Sequence, residues 1–513
     1  MADTRADNNA SASRPNVLLI TTDQQRGDCV GYGLRGVCTP HIDALAARGT
    51  RFDTCITPSP MCQVARSSIL TGKLPYDHGV PDNGYDLDPA EAANGLGGLF
   101  AKNGYRSMII GKAHFATHLT FEATGQPECF KSVGDYDTNW RGPYYGFDHA
   151  ELCLRPHLHT KWSKPPQSLA FEDWLDQDGK GDELWSQALM QDTPETKYNQ
   201  VWRSSLNEEF HSTSWCGDRA VDALTNDEDT PFFCWLSFPD PHPPFVAPRP
   251  WSTTYDPAGV DLPEHRILDL DKRVWWHSAF LEGKAKRAEQ SGLAYSSGAG
   301  FDDEDLRAIT SIYYGMIEAI DAQIGRVLNA LDASGALENT IVIFTSDHGE
   351  WLGDHGLLLK GPMLYDGLLR VPLVIAGPGV PEGVISDSPV STLDLRTTLA
   401  DLCGIEASAD SGASLLPVMT GNEVRDHAYG EWKVESARSG IDLDLRTVRT
   451  RRYRMSFDML SGAGELYDLE TDPQECHDLM GDPSMSHVRK DLIDIIRNRK
   501  SFAPPASARV GWY

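Results

Sequence analysis

Short apolar runs recur along the chain without alternating. They are Val17-Leu-Leu-Ile20, Ser107-Met-Ile-Ile110, Phe232-Phe-Cys-Trp-Leu-Ser-Phe238, Ile341-Val-Ile-Phe344 and Pro372-Leu-Val-Ile375. A strand apolar on both faces is covered on both faces, which means a mostly parallel sheet between layers of helices. Helical segments do lie between the runs. The longest, from about Asp303 to Ser334, carries Leu306, Ile309, Tyr313, Met316, Ile320, Ile324, Val327 and Leu331 at helical spacing and ends at Gly335. The expected fold is therefore an α/β core.

The rest of the chain sorts around this core. Residues 1–14 are polar and read as a disordered tail, and residues 15–420 carry the core. The stretch from about Phe115 to Gly300 is rich in Trp, Pro and charge and reads as loops and insertions. Residues 421–513 form a smaller α+β unit, with antiparallel strands near Arg446–Thr450, Tyr453–Phe457 and Glu465–Leu469 and a helix at about Ser486–Asn498. The last residues, after Lys500, read as an extended arm tipped with Trp512 and Tyr513. That arm suggests a homo-oligomer, a dimer or tetramer in which it reaches a neighbouring subunit.

Charge narrows the partners. Lys+Arg 46 against Asp+Glu 74 leaves −28, a field that repels nucleic acid and other polyanions and favours a small substrate. No apolar run is long enough to span a membrane, and the polar N-terminus reads as carrying no secretory signal. The ten cysteines then read as free thiols in the cytoplasm.

The chemistry collects just past the runs. Asp23 and Gln24 follow the first, Lys112 and His114 the second, Asp240 and His242 the third, Asp347 and His348 the fourth. In an open α/β sheet ligands bind beyond the carboxyl ends of the strands, so these residues are expected to meet. Asp23, Gln24, Asp347 and His348 offer oxygen and imidazole donors suited to one divalent ion, Ca²⁺, Mn²⁺ or Mg²⁺, more than to zinc. The sharpest local signal is Cys62-Gln-Val-Ala-Arg66-Ser-Ser-Ile-Leu-Thr-Gly72. Cys62 falls in the first turn of a helix, where unpaired N–H groups favour anions, and Arg66, at i+4, shares its face. A nucleophile, a cation and a helix N-terminus aimed at one point suit attack on an anionic tetrahedral centre.

These residues resemble the type I sulfatases and phosphonate monoester hydrolases of the alkaline phosphatase superfamily. The resemblance runs through Asn16 to Gln24, Thr39-Pro-His-Ile-Asp43, Cys62 to Gly72, Gly111-Lys-Ala-His114, Pro241-His242-Pro-Pro244, Thr345-Ser-Asp-His-Gly349, Arg370-Val-Pro-Leu373 and Glu465-Leu-Tyr-Asp468. It implies a large alkaline-phosphatase-like sheet with a smaller C-terminal domain. It implies that Cys62 is oxidised to formylglycine by a formylglycine-generating enzyme, and that the ion is Ca²⁺ or Mn²⁺. The hydrated aldehyde, a gem-diol held by the ion and Arg66, would attack sulfur. His242, helped by Lys360, would protonate the leaving alcohol. His114, supported by Lys112, would then release sulfate, and Asn83 would bind ester oxygens.

The implied activity is hydrolysis of a small aryl or alkyl sulfate monoester. Phosphonate monoester or phosphodiester hydrolysis in the same site is the alternative. Val64 stands where the family's maturation motif has Pro or Ala, and Gln24 stands where many sulfatases have a second acid. A phosphomutase would need a Ser or Thr nucleophile and two metals. A non-catalytic anion binder would keep Cys62 unconverted. Trp140, Tyr144, Tyr145 and Phe147 form an aromatic cluster that could stack on an aryl group or contact a quaternary amine, while loop anchors or plain core are readings of equal weight.

Overall fold

The computed structural model describes residues 14–137, 139–154, 169–177, 179–189, 200–225, 230–291, 301–408, 411–499 and 508–511. The tail expected at 1–14 lies outside them except for Arg14. So do residues 501–507, 512 and 513 of the expected arm.

Among the described residues the main sheet has eight strands: β1 (Asn16–Thr22), β2 (Gly49–Phe52), β3 (Arg106–Gly111), β4 (His149–Leu152), β5 (Phe232–Ser237), β6 (Thr340–Ser346), β7 (Leu373–Ala376) and β8 (Val384–Ser386). They lie in the order β8-β2-β7-β6-β1-β5-β3-β4. From β6 to β4 all neighbours are parallel, whereas β7 runs antiparallel to β6 and β2. This is the expected mostly parallel sheet.

The absence of alternation has a direct cause. In β1, Val17 and Leu19 pack into one core with Val64 and Leu70 of a helix over Cys62–Thr71. Leu18 and Ile20 pack into the opposite core with Ile320, Ile324 and Val327 of the helix Asp303–Ala333. Both faces are dry, so every position is apolar. We number the helices α1 (Pro40–Ala47), α2 (Cys62–Thr71), α3 (Ser212–Leu224), α4 (Asp303–Ala333) and α5 (Ser486–Asn498). The expected limits of α4 and α5 agree with these to within a residue. A capping box between Asp302 and Asp305 starts α4.

The short strands β2, β4 and β8 carried no signal. They span three or four residues each and are bounded by no clear turn chemistry. The reading of 115–300 as loops and insertions is corrected in part. Besides the expected strand β5, that stretch contains β4 and α3, together with a parallel pair, Val201–Asn207 with Phe245–Arg249.

A second sheet runs antiparallel in chain order: β9 (His427–Val434), β10 (Leu443–Thr450), β11 (Tyr453–Asp458) and β12 (Gly464–Asp468). The helix α5 packs on it through Leu492 and Ile496. Trp432, Val434, Leu443 and Leu445 enter the same core as Val17 and Leu19. The two sheets are thus joined by buried apolar contact. No described helix is long and apolar enough to cross a membrane.

Gly111 ends β3 at φ +101, and a Cβ there would collide with the carbonyl oxygen of Ser237 on β5. Gly111→Ala is therefore expected to lower the thermal midpoint and, by shifting Lys112, to remove activity. A circular dichroism melt and an activity assay on the soluble fraction check it. An unchanged midpoint would mean that the β3–β5 contact has slack.

Candidate active site

The parallel strands deliver their polar ends to one place because their backbones stay paired past the last residue. Asp23 N donates to Asp240 O at 3.0 Å, Asp347 N to Thr22 O at 3.1 Å and Lys112 N to Ser237 O at 2.9 Å. Opposite them α2 begins at Cys62, and all ten of its residues are buried. Pro60 lies just ahead of it, and Gly72 closes it in the left-handed conformation.

Asp23, Cys62, Asp347 and His348 each turn a donor atom to the centre, and these four atoms lie within 4.8 Å of one another. The His348 Nδ1 lies 2.8 Å from the Gly349 carbonyl oxygen and donates to it, which leaves Nε2 facing Cys62 Sγ at 3.3 Å. Asp23 Oδ1 is buried without a hydrogen-bond partner. An orphaned carboxylate oxygen beside a second carboxylate and an oriented imidazole fits a divalent cation. Gln24, at φ +71, adds an amide whose Oε1 accepts from Lys360 at 3.1 Å and whose Nε2 donates to Glu350.

The cations interleave with these groups. Arg66 donates from Nε to Asp347 Oδ2 at 2.8 Å and from Nη1 to Lys112 O and Ser237 Oγ at 2.8 and 2.7 Å. Lys112 pairs with Asp23. Lys360 donates to Cys62 Sγ at 2.7 Å. Burial works to raise the Asp23 pKa, yet Lys112, His242, Lys360 and Arg66 together hold it well below the carboxylate range. For Cys62, burial and Asp23 push upward, but Lys360, Lys112 and His348 outweigh them and lower it. His114 is held neutral, first by burial and then by Lys112 and His118, and neither ring nitrogen has a hydrogen-bond partner.

Of the sequence-derived residues, Asp23, Gln24, Cys62, Arg66, Lys112, Asp347, His348 and Lys360 thus form one contact network. His114 and His242 stand at its edge, where His242 acts on the Asp23 charge. His242 itself directs Nδ1 to Pro243 O at 2.7 Å. Asn83 reaches the network through Oδ1, which accepts from Gln63 N in the first turn of α2 at 3.3 Å.

The sequence of the sulfatase family matches residues 15–405 of this chain. The chain belongs to the sulfatase family. It is accordingly a sulfuric ester hydrolase of the alkaline phosphatase superfamily. The family's N-sulphoglucosamine sulphohydrolase C-terminal region matches residues 353–501. An arylsulfatase of Clostridium perfringens is 29% identical over 495 residues, 94% of this chain and 93% of that one. A multifunctional alkaline phosphatase superfamily protein of Trinickia caryophylli is 28% identical, covering 93% and 94%. The solved phosphonate monoester hydrolase of Agrobacterium radiobacter superposes with a TM-score of 0.73 at 27% identity, covering 94% and 95%.

The aromatic cluster and the described part of the arm both have definite places in this sulfatase. Tyr144, Tyr145 and Phe147 are buried, packed around Phe115, and Trp140 leans on Tyr144. Tyr144, Tyr145 and Phe147 are core, and Trp140 is partly buried against them. The arm, where described, stays on its own chain. Val510 N donates to Gly84 O at 2.8 Å, and Gly511 bridges to Thr120. Sequence reasoning missed Ser237, Glu350 and Glu128. Ser237 ends β5, and Glu350 lies two residues past His348, so strand-end position alone could have pointed to both.

His78 braces α2 from outside the site. Its Nε2 donates to Ser68 Oγ at 3.0 Å, and its Nδ1 accepts from Val80 N at 3.2 Å. Burial pushes its pKa down to about 3, as it does that of His355. An unfolded histidine titrates near ~6.5. The stabilisation from a depressed folded pKa is whole above that value and is lost as pH falls towards about 3, because only the unfolded chain then takes up protons. The urea midpoint is expected to fall across this window, and His78→Gln to flatten that fall. An unchanged slope in the variant would show that His78 is protonated in the folded protein.

Proposed function

We propose that this sulfatase hydrolyses a small aryl or alkyl sulfate monoester. Formylglycine made from Cys62 would be the nucleophile, and one divalent ion, Ca²⁺ or Mn²⁺, would be held by Asp23, Gln24, Asp347 and His348. The observation that carries it is the convergence of Cys62 Sγ with three ligand-type side chains within 4.8 Å, at the start of a buried helix. The hydrated aldehyde would supply a nucleophilic oxygen, and the ion would neutralise charge on the ester oxygens. Arg66 and Lys112 orient Asp347 and Asp23, and Lys112 helps keep Asp23 ionised. Lys360, 2.7 Å from the position-62 side chain, offers a cation to the sulfate. His242 would donate a proton to the leaving alcohol, and the neutral His114 would accept one. Such steps contribute roughly 10²–10⁴-fold each.

Cys62 is 1% exposed in the folded chain. A formylglycine-generating enzyme would therefore have to reach it before α2 is sealed. A phosphonate monoester or phosphodiester places the same anionic tetrahedral centre in the site, and the likeness to phosphonate monoester hydrolases supports crossover activity. The name of the Clostridium relative favours a sulfate ester as the main substrate.

Turnover of an aryl sulfate, choline sulfate, an aryl phosphonate and a phosphodiester by one preparation tests the reading. A sulfate ester is expected to give the highest kcat/KM, and a leading phosphonate would reverse the order. The peptide bearing residue 62 should show the mass of formylglycine, and Cys62→Ala should lose turnover while keeping its melt. Fully active protein with unmodified Cys62 would reject the nucleophile.

The ion has its own test. Asp347→Asn removes a ligand and the partner of Arg66, and is expected to lose bound metal, measured by elemental analysis, together with activity. Full metal content in that variant would remove Asp347 from the ligand set.

A further inference from the structure

His114 is held in an uncommon way. Its backbone lies at φ +56, in the left-handed region that residues with a side chain seldom occupy. Its ring is buried with neither nitrogen hydrogen-bonded. Nothing the ring itself bonds to sets its direction.

The carboxylate of Glu128 meets the backbone instead. Oε1 accepts from His114 N at 2.6 Å, and Oε2 accepts from Phe115 N at 3.0 Å and Ala116 N at 3.1 Å. Tyr144 donates its hydroxyl to Oε2 at 2.5 Å. His118 Nε2 lies 3.2 Å from Oε1, and its ring sits 4.8 Å from the ring of His114. Glu128 is 1% exposed. A buried anion ringed by three successive amides, a phenol and an imidazole fixes both the strained turn and the His118 ring tilted against that of His114.

We propose that Glu128 is a positioning residue for the proton chemistry of His114, acting through the amides of residues 114–116 and through His118. The inference rests on the role given to His114 above. A glutamine at 128 cannot replace the carboxylate, because its amide nitrogen turns N–H groups toward donors.

A double-mutant cycle on the full-length, metal-loaded, matured enzyme tests it, with kcat and KM measured on the best ester of the panel. Glu128→Gln is expected to lower kcat by roughly 10²-fold, the size of one acid–base contribution, with KM moving only a few-fold. In a His114→Ala background the same change should cost less than about twofold, because residues acting as one unit are not additive. Binding of inorganic sulfate, followed by calorimetry, should survive Glu128→Gln. An equal loss in both backgrounds overturns the proposal and reduces Glu128 to a brace for the loop. A His114→Ala enzyme as active as the parent overturns it too, and with it the role of His114. Should Glu128→Gln not fold, Tyr144→Phe removes one donor from the same carboxylate. Its loss should likewise vanish in the His114→Ala background, and a loss that persists there overturns the proposal.

Discussion

One guanidinium–carboxylate pair, closed off from water, pins the site. Arg66 and Asp347 are both 0% exposed at the side chain and meet at 2.8 Å. Taking two such charges out of water is costly, and breaking the pair by removing one partner typically costs about 3–5 kcal/mol. The pair is tolerable because the arginine has further work for its donors. Its Nη1 binds Lys112 O and Ser237 Oγ, so one side chain from α2 ties together the ends of β3, β5 and β6. Cys62, one turn earlier on α2, is thereby fixed against Asp23, Asp347 and His348 at the ends of β1 and β6.

Charge inside the site is arranged differently from charge on the chain. The whole carries −28, yet Arg66, Lys112 and Lys360 crowd around Asp23, Cys62 and Asp347. Each anion has a cation of its own, and the unused Asp23 Oδ1 leaves room for a metal ion's charge. An anionic substrate adds to a nearly balanced cluster, not to an acidic surface. The second sheet contributes by bracing. Trp432 donates to Asp82 at 3.2 Å, Asp82 accepts from Asn83 N at 2.9 Å, and Tyr85 donates to Glu435 at 2.6 Å. The loop that brings Asn83 to α2 is held from the C-terminal side.

Much of this was legible in order along the chain. Strands β1, β3, β5 and β6 announce themselves because both faces are dry, and an apolar run without alternation has few other uses. Asp23, Lys112, His242, Asp347 and His348 were visible for a related reason, since a polar residue directly after such a run stands at the mouth of the sheet. Cys62 and Arg66 share a helical face by spacing alone. The short strands β2, β4 and β8 were not legible, because three or four residues carry no pattern. The aromatic cluster stayed open in the sequence because a stacking platform and a packed core draw on the same residues, and only burial separates them.

The sequence by itself determined the layer order of the fold and the set of groups at the strand ends, because both follow from local periodicity and from position relative to an apolar run. Only the tertiary structure decided which of those groups touch. It also decided that Glu350 orients Gln24, that Glu128 holds the His114 turn, and that residues 508–511 lie on Gly84 and Thr120 of their own chain. These are contacts between residues distant in sequence, set by how two sheets and the loops between them close on one core. A lone glutamate has no periodicity to betray it, so its role exists only where the folded backbone turns its N–H groups inward.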